Sequence, residues 1–386
     1  MPLPSPCFVV DLAKLRRNLH ILDAVQKASG CHIVLALKAF SMWSVAPVIR
    51  EYLAGCCASG IWEARLAREE FGGEVLTYSP AYKEDEITAL LEITDHLDFN
   101  SLSQWHRYSA KILSHPRHQA GQLRCGLRIN PECSTGHTAI YDPCVAGSRL
   151  GITASQLEGA DLTGISGLHF HTLCEQGAED LETTLAAVEE KFGALLARPE
   201  ITWLNMGGGH WITKPEYNRE LLISLIQKIR ARYGVQVYLE PGEAVAIHTG
   251  VLRATVVDIV HNAMDIAILD VSATAHMPDV LEMPYRPDII GPDGKTLARA
   301  AGFAQHTYRL GGPTCLAGDV IGDYSFDEPL SVGDVLTFDD MAHYTMVKTT
   351  TFNGVRHPAI ATLDSETGEI TLMREFHYED YRNRLS

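Results

Sequence analysis

Four segments in the first 245 residues carry groups suited to cofactor chemistry. Lys38 follows the apolar run 33–37, and a lysine amine in a desolvated setting can form a Schiff base with a carbonyl cofactor. Downstream lie His171 in His-Phe-His, the glycines 207–209 and Glu240 in Leu-Glu-Pro-Gly. A lysine, an anion-binding backbone and a carboxylate are what pyridoxal phosphate needs for its aldehyde, phosphate and ring nitrogen. The pattern therefore predicts a pyridoxal phosphate site.

Each of these residues also has a plainer interpretation. A lysine is usually a solvated charge, a glycine run is often a simple turn, and Glu240 could be a helix cap or a salt-bridge partner. His169 and His171 alternate with Phe170 and should face one side of a strand, where core histidines are common. We favour a stacked imidazole only for His171, which lies nearer the end of the strand.

Short apolar or β-branched runs alternate with amphipathic helical stretches between residues 31 and 242, as in parallel β/α units. The predicted strands number eight, near 32–37, 55–58, 74–78, 96–99, 124–130, 166–171, 202–206 and 236–240. Eight such units are typical of an α/β fold of the (β/α)8 TIM-like barrel type, whose active site lies at the C-terminal ends of the strands. An open six-stranded doubly wound sheet is the alternative, and it would leave two units unexplained.

After about residue 246 the pattern changes to alternating strands and turns, which predicts a second, mostly β domain. The run 7–10 precedes the barrel and is expected to pair into that domain. We therefore place the barrel at residues 12–245 and the β-rich domain at 1–11 and 246–386. In the latter, Cys315 lies in a turn-rich segment that suggests an exposed thiol able to donate a proton.

Composition narrows the class of partner. The net charge of −16 argues against nucleic acid and anionic membranes and is compatible with a cationic substrate. The sequence lacks an apolar run of the roughly 20 residues that a membrane helix needs. The first residues also lack the charged and apolar regions of a signal peptide, so a cytoplasmic location is expected. Nine cysteines without a CxxC pair then predict reduced thiols, and 17 histidines without HExxH predict no metal site.

Seven segments, in this order, resemble the fold type III pyridoxal phosphate decarboxylases, the family of ornithine, diaminopimelate and arginine decarboxylases. They are Leu-Lys-Ala-Phe-Ser at 37–41, Cys-Ala-Ser at 57–59, His-Phe-His at 169–171, Met-Gly-Gly-Gly-His at 206–210, Leu-Glu-Pro-Gly-Glu-Ala at 239–244, Met-Pro-Tyr-Arg-Pro at 283–287 and Leu-Gly-Gly-Pro-Thr-Cys-Leu-Ala-Gly-Asp at 310–319. The family shares with alanine racemase the plan of a barrel plus a C-terminal β domain. Within it, these segments are most similar to the branch that decarboxylates carboxynorspermidine and carboxyspermidine.

The resemblance implies a role for each matching residue. The cofactor would be held by Lys38 through its amine, His171 on the ring, Gly207, Gly208 and Gly209 at the phosphate, Glu240 at the ring nitrogen, Tyr344 at the phosphate, and Arg128 on the cofactor side. Cys315 would be the thiol that one subunit lends to its partner, which implies a homodimer with shared active sites.

The chain departs from the family at two positions. Glu243 stands where many members carry a phosphate-binding arginine, and Leu316 stands where ornithine decarboxylases carry a diamine-binding aspartate. Ornithine is therefore a poor candidate substrate. We expect Arg286 to hold the departing carboxylate, and carboxylates without a fixed cation to bind the polyamine arm, the candidates being Glu243, Asp279, Glu282 and Asp319.

Three other functions compete with this one. A diaminopimelate decarboxylase would need cationic residues for the second carboxylate of its substrate. A non-catalytic regulator on the same scaffold should lack Lys38 or Cys315, and this chain has both. Alanine racemase deprotonates rather than decarboxylates, and the Gly-Pro-Thr-Cys segment favours decarboxylation.

Overall fold

The computed structural model describes residues 3–136 and 138–386. Contacts within the chain divide it into two compact units. The barrel unit comprises Asn18–Val245, and the sheet unit comprises Met1–Arg17 with Ala246–Ser386.

Strand β1 (Cys7–Asp11) and helix α1 (Leu12–Ser29) are the first two elements of the chain. The division between the units falls after Arg17, inside α1, whereas the predicted boundary lay before this helix. The roles assigned to the two domains stay predictions.

The barrel unit is built on eight parallel strands that close on themselves. Each strand pairs with the next along the chain, and the last pairs with the first. The strands are β2 (His32–Ala36), β3 (Gly55–Ala58), β4 (Glu74–Tyr78), β5 (His96–Phe99), β6 (Arg124–Arg128), β7 (Ile165–His169), β8 (Trp203–Asn205) and β9 (Gln236–Leu239). This confirms the predicted (β/α)8 barrel and excludes the doubly wound sheet. We call the C-terminal ends of these strands the upper end of the barrel and their N-terminal ends the lower end.

Helices connect the strands of the barrel unit. After α1 they are α2 (Ala46–Ile49), α3 (Ile61–Leu66), α4 (Glu84–Ile93), α5 (Leu102–Leu113), α6 (Pro116–Gln119), α7 (Ala178–Leu196), α8 (Arg219–Tyr233) and α9 (Glu243–Ala246). Local sequence explains the bounds of α8, since the Asn218 side chain accepts a hydrogen bond from the N–H of Leu221 and Gly234 ends the helix at a φ of 69°. In the described part of the chain, every helix is too short or too polar to cross a membrane.

Large side chains fill the lower half of the barrel interior. Trp203 and Tyr238 pack there with Val34 and Leu76. A Cβ at Gly167 would lie 1.9 Å from the Trp203 indole, and a Cβ at Gly126 would lie 2.3 Å from it. The indole can occupy the barrel axis because its neighbours in β6 and β7 have no side chains.

The sheet unit contains a nine-stranded sheet in the order β12-β14-β13-β11-β10-β1-β16-β17, with β15 paired to β10. Beyond β1, its strands are β10 (Gly250–Asn262), β11 (Met264–Leu269), β12 (Arg299–Ala300), β13 (His306–Gly311), β14 (Val320–Phe326), β15 (Val335–Phe338), β16 (Ala359–Asp364) and β17 (Glu369–Arg374). Its helices are α10 (Ala273–His276), α11 (Asp279–Glu282) and α12 (Tyr378–Leu385). Because β1 lies between β10 and β16, the expected pairing of the run 7–10 into this domain is confirmed.

Candidate active site

Lys38 lies in the turn that follows β2, at the upper end of the barrel. Its Nζ is 3.5 Å from Nε2 of His171. Leu37 and Ala39 on either side are buried. The Lys38 side chain itself is exposed, in contrast to the desolvated setting expected from the apolar strand before it. The amine is thus accessible to a carbonyl group arriving from outside.

His171 lies beyond the end of β7 and is fixed by the glycine segment. Its Nδ1 accepts a hydrogen bond of 2.9 Å from the backbone N–H of Gly208. Desolvation, together with the positive charges of Lys38 and Arg128, holds the pKa of His171 well below its ordinary value. The imidazole is therefore neutral, with its proton on Nε2, the nitrogen that faces Lys38.

Glu240 follows β9 and is held at both carboxylate oxygens. Its Oε1 accepts a hydrogen bond of 2.6 Å from the Asn205 amide, and its Oε2 lies 3.4 Å from Nε2 of His169. The other nitrogen of His169, Nδ1, lies 3.0 Å from Oδ2 of Asp98. Burial would raise the pKa of Glu240, but His169, Asn205 and Lys38 hold it at about 2. The side chain is therefore an ionised carboxylate at neutral pH.

The glycine segment 207–209 follows β8 and approaches its neighbours closely. Gly207 and Gly209 have φ values of 71° and 82°. A Cβ at Gly208 would lie 2.2 Å from the carbonyl oxygen of Glu240, so only glycine fits there.

Two of the three glycine N–H groups already have partners. The N–H of Gly207 donates to the Asn205 side chain and that of Gly208 to His171. The role of the three glycines at the phosphate stays a prediction, and these two N–H groups would have to exchange their partners to take part in it. Among the described residues, Gly209 is the glycine of this segment whose N–H has no protein acceptor.

Arg128 ends β6 at the same end of the barrel. Its guanidinium carbon lies 4.4 Å from the centre of the Tyr78 ring, and its Nη2 donates to the carbonyl of His171 at 3.1 Å. Arg128 is therefore placed beside the histidine. A direct contact with the cofactor stays a prediction.

Cys315 belongs to the sheet unit, where it is exposed as expected. Its N–H donates to Oδ1 of Asn353 at 2.7 Å. The preceding residue, Thr314, donates both its N–H and its hydroxyl to Asp319. These contacts fix the backbone at Thr314 and Cys315, while the Cys315 residue stays exposed.

Three of the four carboxylates expected to lack a fixed cation have protein partners within the sheet unit. Asp279 and Glu282 both pair with Lys348, at 2.5 and 2.8 Å, so the expectation that they have no fixed cation is wrong. Asp319 is 4% exposed and accepts hydrogen bonds from Ser272, Thr274 and Thr314, which makes it the organiser of the Cys315 loop.

Glu243 differs from the other three carboxylates. It lies at the start of α9 in the barrel unit, and its Oε1 accepts a hydrogen bond of 3.0 Å from the Trp211 indole. Its role towards a cationic group stays a prediction.

Arg286 and Tyr344 are half-buried in the sheet unit. The guanidinium of Arg286 lies 4.8 Å from the centre of the Tyr324 ring, and its Nη1 is buried with no acceptor among the described residues. Tyr344 has a φ of 51° and an edge contact with the His343 ring. Their roles towards carboxylate and phosphate stay predictions.

Three residues of the upper end were missed in the sequence. Asp98, His169 and Asn205 are at most 2% exposed, and each lies in the last two residues of its strand. A polar residue in the last two positions of a barrel strand is a signal for a site residue. His169 carried this signal, but it was interpreted as a core histidine. Their contacts with one another depend on the register between strands, which the sequence does not display.

Pyridoxal phosphate fits the residues at the upper end. Lys38 offers an accessible amine for the aldehyde, and Glu240 offers an ionised carboxylate for the ring nitrogen. Glycines without Cβ atoms allow close approach of an anion, with the N–H of Gly209 as donor. The neutral His171 adds an imidazole between the amine and the glycines.

Comparison with known proteins gives consistent matches. A family model described as "Pyridoxal-dependent decarboxylase, C-terminal sheet domain" matches residues 7–342. The chain is 49% identical over 385 residues to the carboxyaminopropylagmatine decarboxylase of Synechocystis sp., covering 99% of this chain and 96% of that protein. It is 45% identical over 389 residues to the carboxynorspermidine/carboxyspermidine decarboxylase of Campylobacter jejuni, covering 99% and 98%.

A solved structure is similar over the same length. The carboxynorspermidine decarboxylase from Campylobacter jejuni complexed with norspermidine has a TM-score of 0.88 and 44% identity, with 99% of this chain and 100% of that chain covered.

Proposed function

The chain belongs to the pyridoxal-dependent decarboxylases of the ornithine, diaminopimelate and arginine decarboxylase family, and from this premise we propose that it decarboxylates a carboxylated polyamine. The first candidates are carboxynorspermidine and carboxyspermidine. The observation that carries the proposal is 45% identity, over nearly the whole of both chains, to an enzyme named for these two substrates.

The residues of the upper end would divide the work of binding. Lys38 would hold the cofactor through its amine, Glu240 would keep a proton on the ring nitrogen, and neutral His171 would lie against the ring. When bound, pyridoxal phosphate withdraws electrons from the carbon that loses its carboxylate. The negative charge of Glu240, at a pKa of about 2, persists through the whole physiological range.

Arg286 and Glu243 would bind opposite charges of the substrate. The buried Nη1 of Arg286 has no acceptor among the described residues, so a carboxylate could satisfy it. Glu243, held by the neutral Trp211 indole, would face the cationic arm. We no longer propose Asp279 or Glu282 for this arm, because Lys348 pairs with both, nor Asp319, because it is 4% exposed and holds the Cys315 loop.

Cys315 would return a proton to the carbon that has lost its carboxylate. We propose that it does so in the active site of a partner subunit, so that the enzyme works as a homodimer. The exposed thiol on a fixed loop supports this role. The cytoplasmic location expected from the sequence also stays a proposal.

A second substrate has an observation in its favour. The relative at 49% identity is named for carboxyaminopropylagmatine, whose agmatine part ends in a guanidinium group rather than an ammonium group. Both tails are cationic, and an anionic site would accept either charge. The shape and hydrogen bonding of the tail pocket would decide between them.

The test is carbon dioxide release by the purified holoenzyme from four compounds: carboxynorspermidine, carboxyspermidine, carboxyaminopropylagmatine and diaminopimelate. We expect kcat/KM to be highest for one of the first three. One methylene separates the first two, which corresponds to roughly 10–200-fold in kcat/KM. A preference for diaminopimelate, or no release from any polyamine, would refute the proposal.

Shared active sites can be tested by mixing two inactive variants, Lys38→Ala and Cys315→Ala. If each site combines Lys38 of one protomer with Cys315 of its partner, a random mixture should recover about a quarter of the wild-type activity, because half of the dimers are mixed and each has one intact site. Sites built within one protomer would recover no more than the two variants give separately, and Cys315→Ala at the wild-type rate would remove the thiol from the reaction.

A further inference from the structure

His169 lies between two carboxylates in the interior of the barrel unit. Its Nδ1 is 3.0 Å from Asp98 and its Nε2 is 3.4 Å from Glu240. His169 is 1% exposed and Asp98 is 2% exposed. Of the three, Glu240 is the one with solvent access, and even its side chain is only 12% exposed.

The other polar and charged side chains near His169 come from β4, β6 and β8 and from the segments that follow β2 and β7. Tyr78 of β4 contacts the His169 ring edge-on, with ring centres 5.4 Å apart, and Arg128 of β6 lies over the same tyrosine. Asn205 of β8 is neutral and donates to Glu240. His171 is neutral, and Lys38 lies beyond it. The two carboxylates are therefore the anions that face His169.

We propose that Asp98 and His169 are positioning residues that keep Glu240 ionised and fix its orientation towards the ring nitrogen of the cofactor. This inference rests on the role of Glu240 in the proposed function. The imidazolium would face one carboxylate with each of its two N–H groups, which gives an alternating sequence of charges, Asp98 negative, His169 positive and Glu240 negative. A protonated ring nitrogen would continue that alternation.

Asp98 is needed because of the net charge of the group. His169 and Glu240 alone would sum to zero, and a buried neutral pair attracts a protonated nitrogen less than a net negative charge does. With Asp98 the three side chains carry one negative charge, as an isolated Glu240 would, but with Glu240 held in place. Burial lowers the pKa of His169, yet Glu240 and Asp98 raise it above its ordinary value, in agreement with this arrangement.

The first experiment needs no loss of function. Long-range 1H–15N spectra of the holoenzyme labelled at histidine report the protonation of each imidazole nitrogen, and His169→Gln assigns the signal. We expect both nitrogens of His169 to be protonated at pH 7.5. A neutral His169 in the wild-type holoenzyme would overturn the proposal.

The second experiment compares kinetics of two matched variants. His169→Gln should lower kcat about 10–100-fold with little change in KM, the usual effect of removing a group that orients a ligand-binding residue. His96→Gln removes a histidine that is also 1% exposed in the same barrel but lies at the lower end. Its kcat should be unchanged, and equal losses in the two variants would overturn the proposal.

Asp98→Asn provides a further measurement if His169→Gln does not fold. The loss of one anion should release the proton from His169 at a lower pH than in the wild type, and the absorbance of the bound cofactor should then change with pH over the same range. An unaltered titration of His169 would overturn the role of Asp98. If the wild type binds the cofactor but decarboxylates no polyamine, the proposed function fails, while the histidine spectra still decide the state of His169.

Discussion

The upper and lower ends of the barrel each place a buried histidine near a carboxylate, and the pKa values of the two histidines shift in opposite directions. At the upper end, His169 lies 3.0 and 3.4 Å from two carboxylates, which raise its pKa. At the lower end, His96 lies 3.9 Å from Glu74 and packs against the Trp203 ring, with ring centres 4.6 Å apart. Burial, aided by Arg124, lowers the pKa of His96 to about 4.

The other partners of the two glutamates, Glu74 and Glu240, explain why the pKa values of the two histidines shift in opposite directions. Glu74 accepts hydrogen bonds of 2.8 Å from both His32 and Tyr238. These two donors already stabilise its negative charge, so Glu74 favours the protonated form of His96 less strongly. Glu240 accepts a hydrogen bond from the neutral Asn205 amide and lies beside His169, with the charge of Lys38 acting from farther away. A carboxylate nearby therefore does not determine the charge of a buried histidine. The distance between the two groups and the other donors to the carboxylate decide it. The upper end of the barrel is therefore suited to chemistry and the lower end to packing.

The largest expected effect belongs to the upper end. Lys38→Ala should abolish turnover and the absorbance of the lysine-bound cofactor, because no other amine replaces its covalent link. Both are measured on the purified variant with added pyridoxal phosphate. Lys27→Ala, at an exposed lysine paired with Asp23, is the control and should behave as wild type. Retention of either property by Lys38→Ala would remove Lys38 from the site.

The lower end should respond in stability. Trp203→Ala should lower the free energy of unfolding by about 3–5 kcal/mol, because it empties the space beside Gly126 and Gly167. Urea unfolding measures this effect. Trp62, which is 85% exposed, is the control position, where alanine should leave the midpoint nearly unchanged. Equal losses at the two positions would contradict the packing role of Trp203.

Paired substitutions of the two glutamates separate the two ends directly. Glu240→Gln should lower kcat about 10²–10³-fold, since it removes an oriented charge from the reacting region. Glu74→Gln should leave kcat unchanged and reduce only stability. The comparison fails if Glu74→Gln slows turnover as much as Glu240→Gln does.

The smallest effect is on the pH dependence of stability, and its sign differs between the two histidines. The pKa of His169 is raised above 6.5, so its contribution is complete below that pH and is lost as pH rises through the folded value. The pKa of His96 falls from 6.5 to about 4, so its contribution is complete above pH 6.5 and is lost as pH falls towards 4.

Urea unfolding across this range tests the two signs. His96→Gln should flatten the loss of stability below pH 6.5, by at most about 1.4 kcal/mol per pH unit. His169→Gln should flatten the loss above pH 6.5. Changes of the same sign in both variants would show that the two histidines do not differ in charge.

The sequence predicted the fold well because the barrel strands are short apolar runs with clear ends. Lys38 and Glu240 were predicted as site residues from the same signal, since each follows such a run. Contacts between distant segments could not be predicted in this way. Lys348 pairs with Asp279 from 69 residues away, and nothing in the local sequence of either residue indicates the other.

The same limit explains the glycine segment and His169. A run of three glycines indicates close approach, but it does not show that Asn205 and His171 take two of the N–H groups. The partners of His169 are Asp98 in β5 and Glu240 just after β9. The shift in the pKa of His169 therefore depends on the register between strands and not on its neighbours in the chain.

Gly126 is the residue at which the two ends of the barrel meet. A methyl group there would lie 2.3 Å from the Trp203 ring below and 2.4 Å from Oδ1 of Asp98 above. Because Gly126 has no side chain, the Trp203 ring and the Asp98 carboxylate can both lie next to it without a steric clash. A larger residue at position 126 would therefore collide with the Trp203 ring and with the Asp98 carboxylate at once. Such a substitution would disturb both the packing of the lower end and the position of Asp98 beside His169.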